Sequence, residues 1–244
     1  MTIFKGGEHG GKKVIHPDIF GLALLDYHRG QFIPPLIRHN TYGSPEQTPI
    51  DGYFFDETDF SEMEHFTLSL CRGTVLDVGA AAGRHTLYLQ SHGIEVKGLE
   101  ISQSCCTLMQ ERDVRNIIHA DIHKYDEGKF DTIILLMNGI GLAGTMEGLK
   151  LLLNQLNRLL APGGQVFFDS SDVAYIYEGI EKPKGRYYGE IDYKYEYKGQ
   201  AGSWFSWLYV DMKTMLECCI ETGWAMQVIY EDETGLYLGR LIRV

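Results

Sequence analysis

Short apolar runs alternate with segments of helical periodicity from Phe60 to Asp169. The runs predict strands, and the segments between them predict helices, after a first helix that ends at Gly73. The predicted strands are residues 74–78, 95–99, 116–120, 131–137 and 165–169, and the predicted helices that follow are residues 84–91, 103–112 and 146–160. Helical crossovers return the chain to the same edge of a sheet, so the strands that they connect are parallel. The alternation therefore predicts an α/β fold with a doubly wound, mostly parallel sheet.

The C-terminal part of the sequence predicts antiparallel structure. A helix is expected over residues 213–221, with Asp211 as its N-cap. Residues 224–231 and 236–244 form two further strands, joined by a turn at residues 232–235. Two strands joined so closely form an antiparallel hairpin. With this hairpin the expected sheet has seven strands.

An aromatic β-hairpin is predicted as an insertion at about residues 185–210. Apolar and polar residues alternate from Ile191 to Tyr197, which is typical of a half-buried strand. A glycine-bounded turn at residues 199–202 leads to a partner strand at residues 203–210. The aromatic side chains of the pair are Tyr193, Tyr195, Phe205, Trp207 and Tyr209. They could cover a ligand or only pack against the sheet, and the sequence leaves both possibilities open.

The first part of the chain differs from the rest. Residues 1–59 contain one helical candidate at residues 18–28, followed by a stretch that prolines and glycines interrupt. We expect this segment to wrap around a single large domain at residues 60–244.

Composition narrows the possible partners and the location. The chain has 244 residues, 44% of them hydrophobic, and its 22 Lys and Arg against 33 Asp and Glu give a net charge of −11, which disfavours binding to nucleic acid. No apolar window is long enough to span a membrane, and the start lacks the apolar block of a signal peptide, so we expect a cytoplasmic protein. The five cysteines lack metal-ligand spacing and are expected to be reduced and mostly buried, with no metal site. The oligomeric state is left open.

The most informative segment joins the first strand of the alternating region to its helix. Asp77 is followed by small residues at every second position, Gly79, Ala81 and Gly83. Small residues let a ligand approach the backbone, and the amides at a helix start favour an electronegative group. The segment resembles the first motif of class I S-adenosylmethionine-dependent methyltransferases, in which the middle position is usually glycine. We expect Ala81 to be tolerated because the site needs small size rather than a positive φ.

The resemblance extends to the ends of the next strands and covers about residues 60–169. It implies that Glu100, with Ile101 beside it, binds the ribose of S-adenosylmethionine. It also implies that Asp121 and Ile122 hold the adenine and that Asn138 lies where cofactor and acceptor meet. Taken alone, Asp121 could instead cap a helix, and Asn138 could belong to a turn. The helix end at residues 159–164 also resembles the family, in which such an end commonly precedes the fifth strand.

The resemblance implies a Rossmann-like methyltransferase, and the inserted hairpin, the N-terminal segment and the acidic charge together favour a small-molecule acceptor. The N-terminal segment is expected to act as a lid through residues such as Tyr42, Tyr53, Phe54 and Phe55, by analogy with small-molecule methyltransferases. No catalytic residue is assigned, because aligning the acceptor with an already activated methyl group needs no universal base. His85 is expected to be structural, and the polar residues from Asp169 onward could line the acceptor side or cap a helix.

The sequence leaves two alternative functions open. A nicotinamide-dependent oxidoreductase would share Glu100, but its third glycine is missing, because Arg84 stands at that position. A non-catalytic cofactor-binding or scaffold protein would use the aromatic hairpin to bind partners.

Overall fold

The computed structural model describes residues 18–244. Residues 1–17, the first part of the predicted N-terminal segment 1–59, lie outside the described residues. They include the start of the sequence, which lacks the apolar block of a signal peptide. The helices are α1 Ile19–His28, α2 Glu62–Ser69, α3 Arg84–Ser91, α4 Gln103–Glu111, α5 Met146–Leu159 and α6 Met212–Thr222. The strands are β1 Ile37–Asn40, β2 Glu46–Gln47, β3 Val75–Val78, β4 Val96–Glu100, β5 Ile117–His119, β6 Phe130–Leu135, β7 Leu160–Ser171, β8 Glu190–Tyr197, β9 Gln200–Ala201, β10 Phe205–Leu208, β11 Trp224–Glu231 and β12 Leu236–Arg243.

The main sheet has seven strands in the order β11-β12-β7-β6-β3-β4-β5. The pairs from β7 to β5 are parallel, whereas β12 pairs antiparallel with both β7 and β11. The prediction of a doubly wound, mostly parallel sheet with a C-terminal antiparallel hairpin is confirmed. Strand order reverses between β3 and β6, so the carboxyl ends of these two strands border a crevice of the kind in which open α/β sheets bind ligands.

Local sequence signals explain where the helices begin. Ser61 and Glu64 form a reciprocal capping box at the start of α2, and Asp211 accepts a backbone hydrogen bond at the start of α6, as predicted. Helix α5 buries Leu149, Leu152 and Leu156 completely against the main sheet. Burying each leucine contributes about 1.5–3 kcal/mol, so this face fixes α5 on the sheet.

A second sheet has the strand order β10-β8-β1-β2, with β9 beside β8. It contains the predicted aromatic hairpin, although the partner strand begins at Phe205 rather than at residue 203. The N-terminal segment adds two strands that the sequence did not predict, and β1 pairs antiparallel with β8. Prolines and glycines flank β1, which has only four residues, so its alternation is too short to indicate a strand.

No helix within residues 18–244 is both long enough and apolar enough to cross a membrane. All five cysteines are buried and free, which agrees with the expectation of mostly buried thiols.

Candidate active site

A cavity of about 540 Å³ lies between the carboxyl ends of β3 to β5 and the second sheet. Eight predicted site residues line it, namely Asp77, Gly79, Ala81, Glu100, Ile101, Asp121, Ile122 and Asn138. Gly83 is not in the lining. It takes a φ of +76° at the start of α3, where an added Cβ would lie 2.9 Å from Val114 and 3.0 Å from Met109. The fold therefore brings the dispersed predicted positions to one crevice, with Gly83 packed behind it.

The loop after β3 depends on left-handed backbone conformations. Gly79 has a φ of +73° and Ala81 a φ of +48°. The expectation that Ala81 needs only small size is therefore wrong, because its backbone adopts the region that favours glycine. A non-glycine residue in that region costs about 1–2 kcal/mol. The Ala81 N–H donates to Oε2 of Glu100 at 2.9 Å, which helps to hold the loop in this shape.

Glu100 is the carboxylate at the end of β4 and is 8% exposed. Its Oε2 accepts the hydrogen bond from Ala81, and its Oε1 accepts another from the Ser102 N–H at 2.9 Å. Burial raises the pKa of Glu100, and the backbone donors oppose that effect. A carboxylate oxygen has two lone pairs, so each oxygen of this oriented carboxylate can still accept a hydroxyl group from a ligand.

Asp77 is buried and connects β3 to α3 through a side-chain hydrogen bond. Its Oδ2 accepts a hydrogen bond from the Thr86 hydroxyl at 2.6 Å, and burial raises the pKa of its carboxyl group. This bond ties the strand to the first turns of the helix. Asp77 therefore positions the loop between the two elements, while it also reaches the cavity wall.

Asp121 and Ile122 follow β5 in a turn rather than at a helix start, so the alternative role of Asp121 as a helix cap is absent here. Asp121 Oδ1 accepts the His123 N–H at 3.0 Å, and Lys124 Nζ lies 3.2 Å from Oδ2. Ile122 is 5% exposed and Ile101 is 50% exposed. The two isoleucines and the Asp121 carboxylate give this end of the cavity two apolar side chains and one polar group.

Asn138 follows β6 and links the main sheet to the hairpin. It has a left-handed backbone, its N–H donates to Asp169 Oδ2 at 2.7 Å, and its side-chain Nδ2 donates to the Leu208 carbonyl at 3.2 Å. Its buried Oδ1 has no hydrogen-bond partner among residues 18–244. Asn138 thus combines the turn role and the cavity-lining role that the sequence left as alternatives. Asp169 lies behind it, and burial raises the pKa of that carboxyl group to about 6.

The second sheet forms the aromatic wall of the cavity. Tyr193, Tyr195, Phe205, Trp207 and Tyr209 all line it, so the hairpin does more than pack against the main sheet. Of the four aromatic residues predicted to form a lid, only Tyr53 is in the lining. The N-terminal segment also contributes residues that the sequence analysis missed, namely Asp18, Phe20 and Arg38. Asp18 caps α1 and accepts a 2.6 Å hydrogen bond from Ser102, so it fastens α1 beside Glu100.

A buried ionic cluster supports the floor of the site. Glu64 Oε1 accepts hydrogen bonds from Arg84 Nη2 and, at 2.8 Å, from His85 Nε2. Burial opposes ionisation of Glu64, but hydrogen bonds from His85 and Ser61 outweigh it and lower the pKa of Glu64 to about 2. His85 is 5% exposed and is committed to this cluster, in keeping with its expected structural role.

Comparison with known proteins identifies the family. Residues 76–168 match the family described as "Methyltransferase domain". A crystal structure of an S-adenosylmethionine-dependent methyltransferase from Bacteroides fragilis, in complex with S-adenosyl-L-homocysteine, is 32% identical to this chain, covers 93% of it and 95% of its own chain, and has a TM-score of 0.85. The chain belongs to the S-adenosylmethionine-dependent methyltransferases. The nicotinamide alternative is thereby set aside, and the cofactor of this methyltransferase is S-adenosylmethionine.

More distant methyltransferases share the fold. The CcbJ methyltransferase from Streptomyces caelestis is 13% identical, covers 93% of this chain and 98% of its own, and has a TM-score of 0.65. CalS10, an amino pentose methyltransferase from Micromonospora echinaspora, is 15% identical, covers 82% of this chain and 99% of its own, and has a TM-score of 0.56. No curated protein matches the methyltransferase significantly.

Proposed function

We propose that this methyltransferase acts on a small-molecule acceptor, which it binds in the aromatic half of the cavity. The observation that carries the proposal is the second sheet, which covers the carboxyl ends of the main-sheet strands and leaves a space of about 540 Å³. That volume lies within the roughly 300–1,000 Å³ of small-molecule sites. CalS10, whose acceptor is named as an amino pentose, has the same fold at low identity, so the fold is compatible with a small acceptor.

The cofactor half of the site is assigned to the residues predicted from the sequence. Glu100 would accept hydrogen bonds from the ribose hydroxyls, because two backbone donors already orient its carboxylate. Gly79 and Ala81, with Asp77 and Gly83 supporting their loop, would let the backbone approach the amino-acid part. Asp121, Ile101 and Ile122 would hold the adenine by one polar edge and two apolar contacts. Asn138 would present its unpartnered Oδ1 near the point of transfer.

The mechanism then depends on positioning. S-adenosylmethionine supplies a methyl group on a sulfonium, which is an activated leaving group. The chain aligns the acceptor through its aromatic wall and excludes water with the second sheet. Burial raises the pKa of Tyr193 and of Tyr195, so both hydroxyls are neutral and neither is assigned as a base. No catalytic base is assigned to the methyltransferase.

A large polymeric acceptor fits less well. The net charge of −11 gives no general attraction to nucleic acid, and the second sheet lies between the strand ends and an approaching polymer. Five buried free thiols agree with a reducing, cytoplasmic environment, which we propose as the location. Fractionation of cells that produce the protein, with blotting of each fraction, tests this location.

The function is tested by methyl transfer from S-adenosylmethionine to a panel of small amines, alcohols and carboxylic acids, read by mass spectrometry. Phe205→Ala should raise the KM for an accepted molecule without changing the affinity for S-adenosyl-L-homocysteine. Trp204→Ala is the matched control, because Trp204 is 51% exposed and outside the cavity lining. Transfer only to protein or nucleic acid would contradict the proposal, and cofactor binding without any transfer would favour the non-catalytic alternative.

A further inference from the structure

Arg38 is a cation in the aromatic half of the cavity. It lies on β1 as the cross-strand partner of Tyr195 on β8, and both side chains line the cavity. Its guanidinium carbon lies 4.8 Å from the centroid of the Tyr193 ring. Cross-strand partners project to the same face of a sheet, so the register of β1 on β8 places this charge among the tyrosines.

The guanidinium has unused hydrogen-bonding capacity. Its Nη2 forms a solvent-exposed ion pair with Glu46 Oε2 at 2.8 Å across the β1–β2 turn, which orients the group, and such exposed pairs are weak. Its Nε is buried and has no hydrogen-bond partner among residues 18–244. Buried polar atoms in folded proteins are nearly always partnered, so an unpartnered donor on a residue that lines the cavity points to a ligand atom as its partner.

The surroundings favour an acceptor atom with negative charge. Tyr193 donates a hydrogen bond to Tyr209 at 3.4 Å between their hydroxyl oxygens, and both tyrosines line the cavity with Arg38. The acids in the lining, Asp18, Asp77, Glu100 and Asp121, lie on α1 and at the ends of β3 to β5, which is the cofactor side. Arg84, the second arginine in the lining, is already bonded to Glu64 and to the Gly52 carbonyl.

We propose that Arg38 binds a carboxylate of the methyl acceptor, so that the substrates of this enzyme are small carboxylic acids. This inference rests on the proposed function and adds the substrate class. The planar guanidinium matches the geometry of a carboxylate, and the Tyr209 hydroxyl, which accepts from Tyr193, can donate its own proton to the same group. The apolar body of such a molecule would pack on Phe205 and Trp207. A cationic acceptor would suit the aromatic rings, but the guanidinium would repel it.

The experiment uses matched probes on the full chain saturated with S-adenosyl-L-homocysteine. Phenylacetate, phenylacetamide, benzylammonium and phenyl phosphate share the aromatic ring and differ in charge and shape. Calorimetric titration should show that phenylacetate binds about tenfold or more tightly than phenylacetamide, as expected for a charge-assisted hydrogen bond. Arg38→Gln should reduce this preference to about equal binding, and Arg38→Lys should retain part of it.

Lys194→Gln is the matched control, since Lys194 also carries a positive charge on the second sheet but contacts Trp204 outside the cavity lining. It should leave the preference for phenylacetate unchanged. Equal responses to the charged and neutral probes, including no response to any of them, would overturn the proposal. So would tighter binding of phenyl phosphate or benzylammonium, or a preference that persists in Arg38→Gln.

The titration of S-adenosyl-L-homocysteine into each variant separates the two proposals. Its affinity should be the same in the wild type and in all Arg38 variants, which also shows that the variants fold. If the cofactor product binds and the probes do not discriminate, only the assignment of Arg38 fails. If S-adenosyl-L-homocysteine does not bind to the folded wild type, both the proposed function and the assignment of Arg38 fail.

Discussion

Replacement of Glu100 by Gln tests the proposed ribose contact most directly. The carboxylate accepts one backbone hydrogen bond on each oxygen, from Ala81 and from Ser102, both at 2.9 Å. Gln has the same size, but its amide nitrogen is a donor, so one of the two backbone N–H groups then faces another donor. The variant loses the negative charge and also loosens the turn that presents the group.

The expected effect on binding follows from the bonds that are lost. A hydrogen bond to a charged group contributes about 1.5–3 kcal/mol, which corresponds to about 10- to 150-fold weaker binding of S-adenosyl-L-homocysteine. The effect on folding is smaller, because removal of a buried charge offsets the unsatisfied N–H group. Burial raises the pKa of Glu100, which shows that ionisation is disfavoured there. We expect the free energy of unfolding to change by less than about 2 kcal/mol.

Isothermal titration calorimetry with S-adenosyl-L-homocysteine measures the effect. Glu95→Gln is the control, because Glu95 is exposed and immediately precedes the same strand at its opposite end. Thermal unfolding of both variants shows whether the fold is retained. If the two variants bind with equal affinity, Glu100 does not bind the ribose and the reasoning from its geometry is refuted.

Three further substitutions test the local physics of the site. Ala81→Gly removes the strain of a φ of +48°, which is about 1–2 kcal/mol, but adds about 0.5–1 kcal/mol of unfolded-state entropy. We expect the free energy of unfolding in urea to rise by up to about 1.5 kcal/mol, and a clear loss would contradict the strain argument. Burial raises the pKa of Asp169 from 3.8 to about 6, so its contribution to stability is present below pH of about 4 and is lost as the pH rises through about 6. Between pH of about 4 and about 6, the free energy of unfolding of the wild type should fall by about 3 kcal/mol more than that of Asp169→Asn. If the free energies of unfolding of the two proteins change in parallel with pH, the effect is excluded. Glu64→Gln leaves the buried Arg84 without its counter-charge and should destabilise the protein by about 3–5 kcal/mol, seen as a lower Tm; an unchanged Tm would show that the pair is dispensable.

The main sheet could be predicted because its signals are local. Apolar runs of strand length, helix caps such as Asp211 and the final turn each lie within a few residues, and the parallel order follows from the crossovers. The second sheet was only half predicted. Its hairpin shows alternation over eight residues in β8, whereas β1 has four and depends on pairing with a strand far along the chain. Pairing of that kind leaves no periodic signal in the shorter partner.

The candidate site likewise has residues that local sequence signals predict and residues whose role depends on contacts far along the chain. Glu100 and Asp121 stand directly after predicted strands, so their convergence at one sheet edge follows from parallel pairing alone. The backbone conformation of Ala81 could not be deduced, because alanine normally indicates an ordinary φ and only the closed loop imposes the left-handed one. Arg38 was missed because its position depends on the unpredicted register of β1 against β8.

The two halves of the cavity are thus encoded in separate stretches of the chain. In the proposed function, the loops after β3 to β5 hold the cofactor, whereas β1, β8 and β10 hold the acceptor. They meet closely after β6, where Asn138 donates to the Leu208 carbonyl and a side chain at Gly141 would collide with the Trp207 ring. Because this junction sets the distance between the two halves, we expect substitutions on the second sheet to change the acceptor while the cofactor side keeps its geometry. Substitution at the junction, in contrast, would disturb the alignment on which in-line transfer depends.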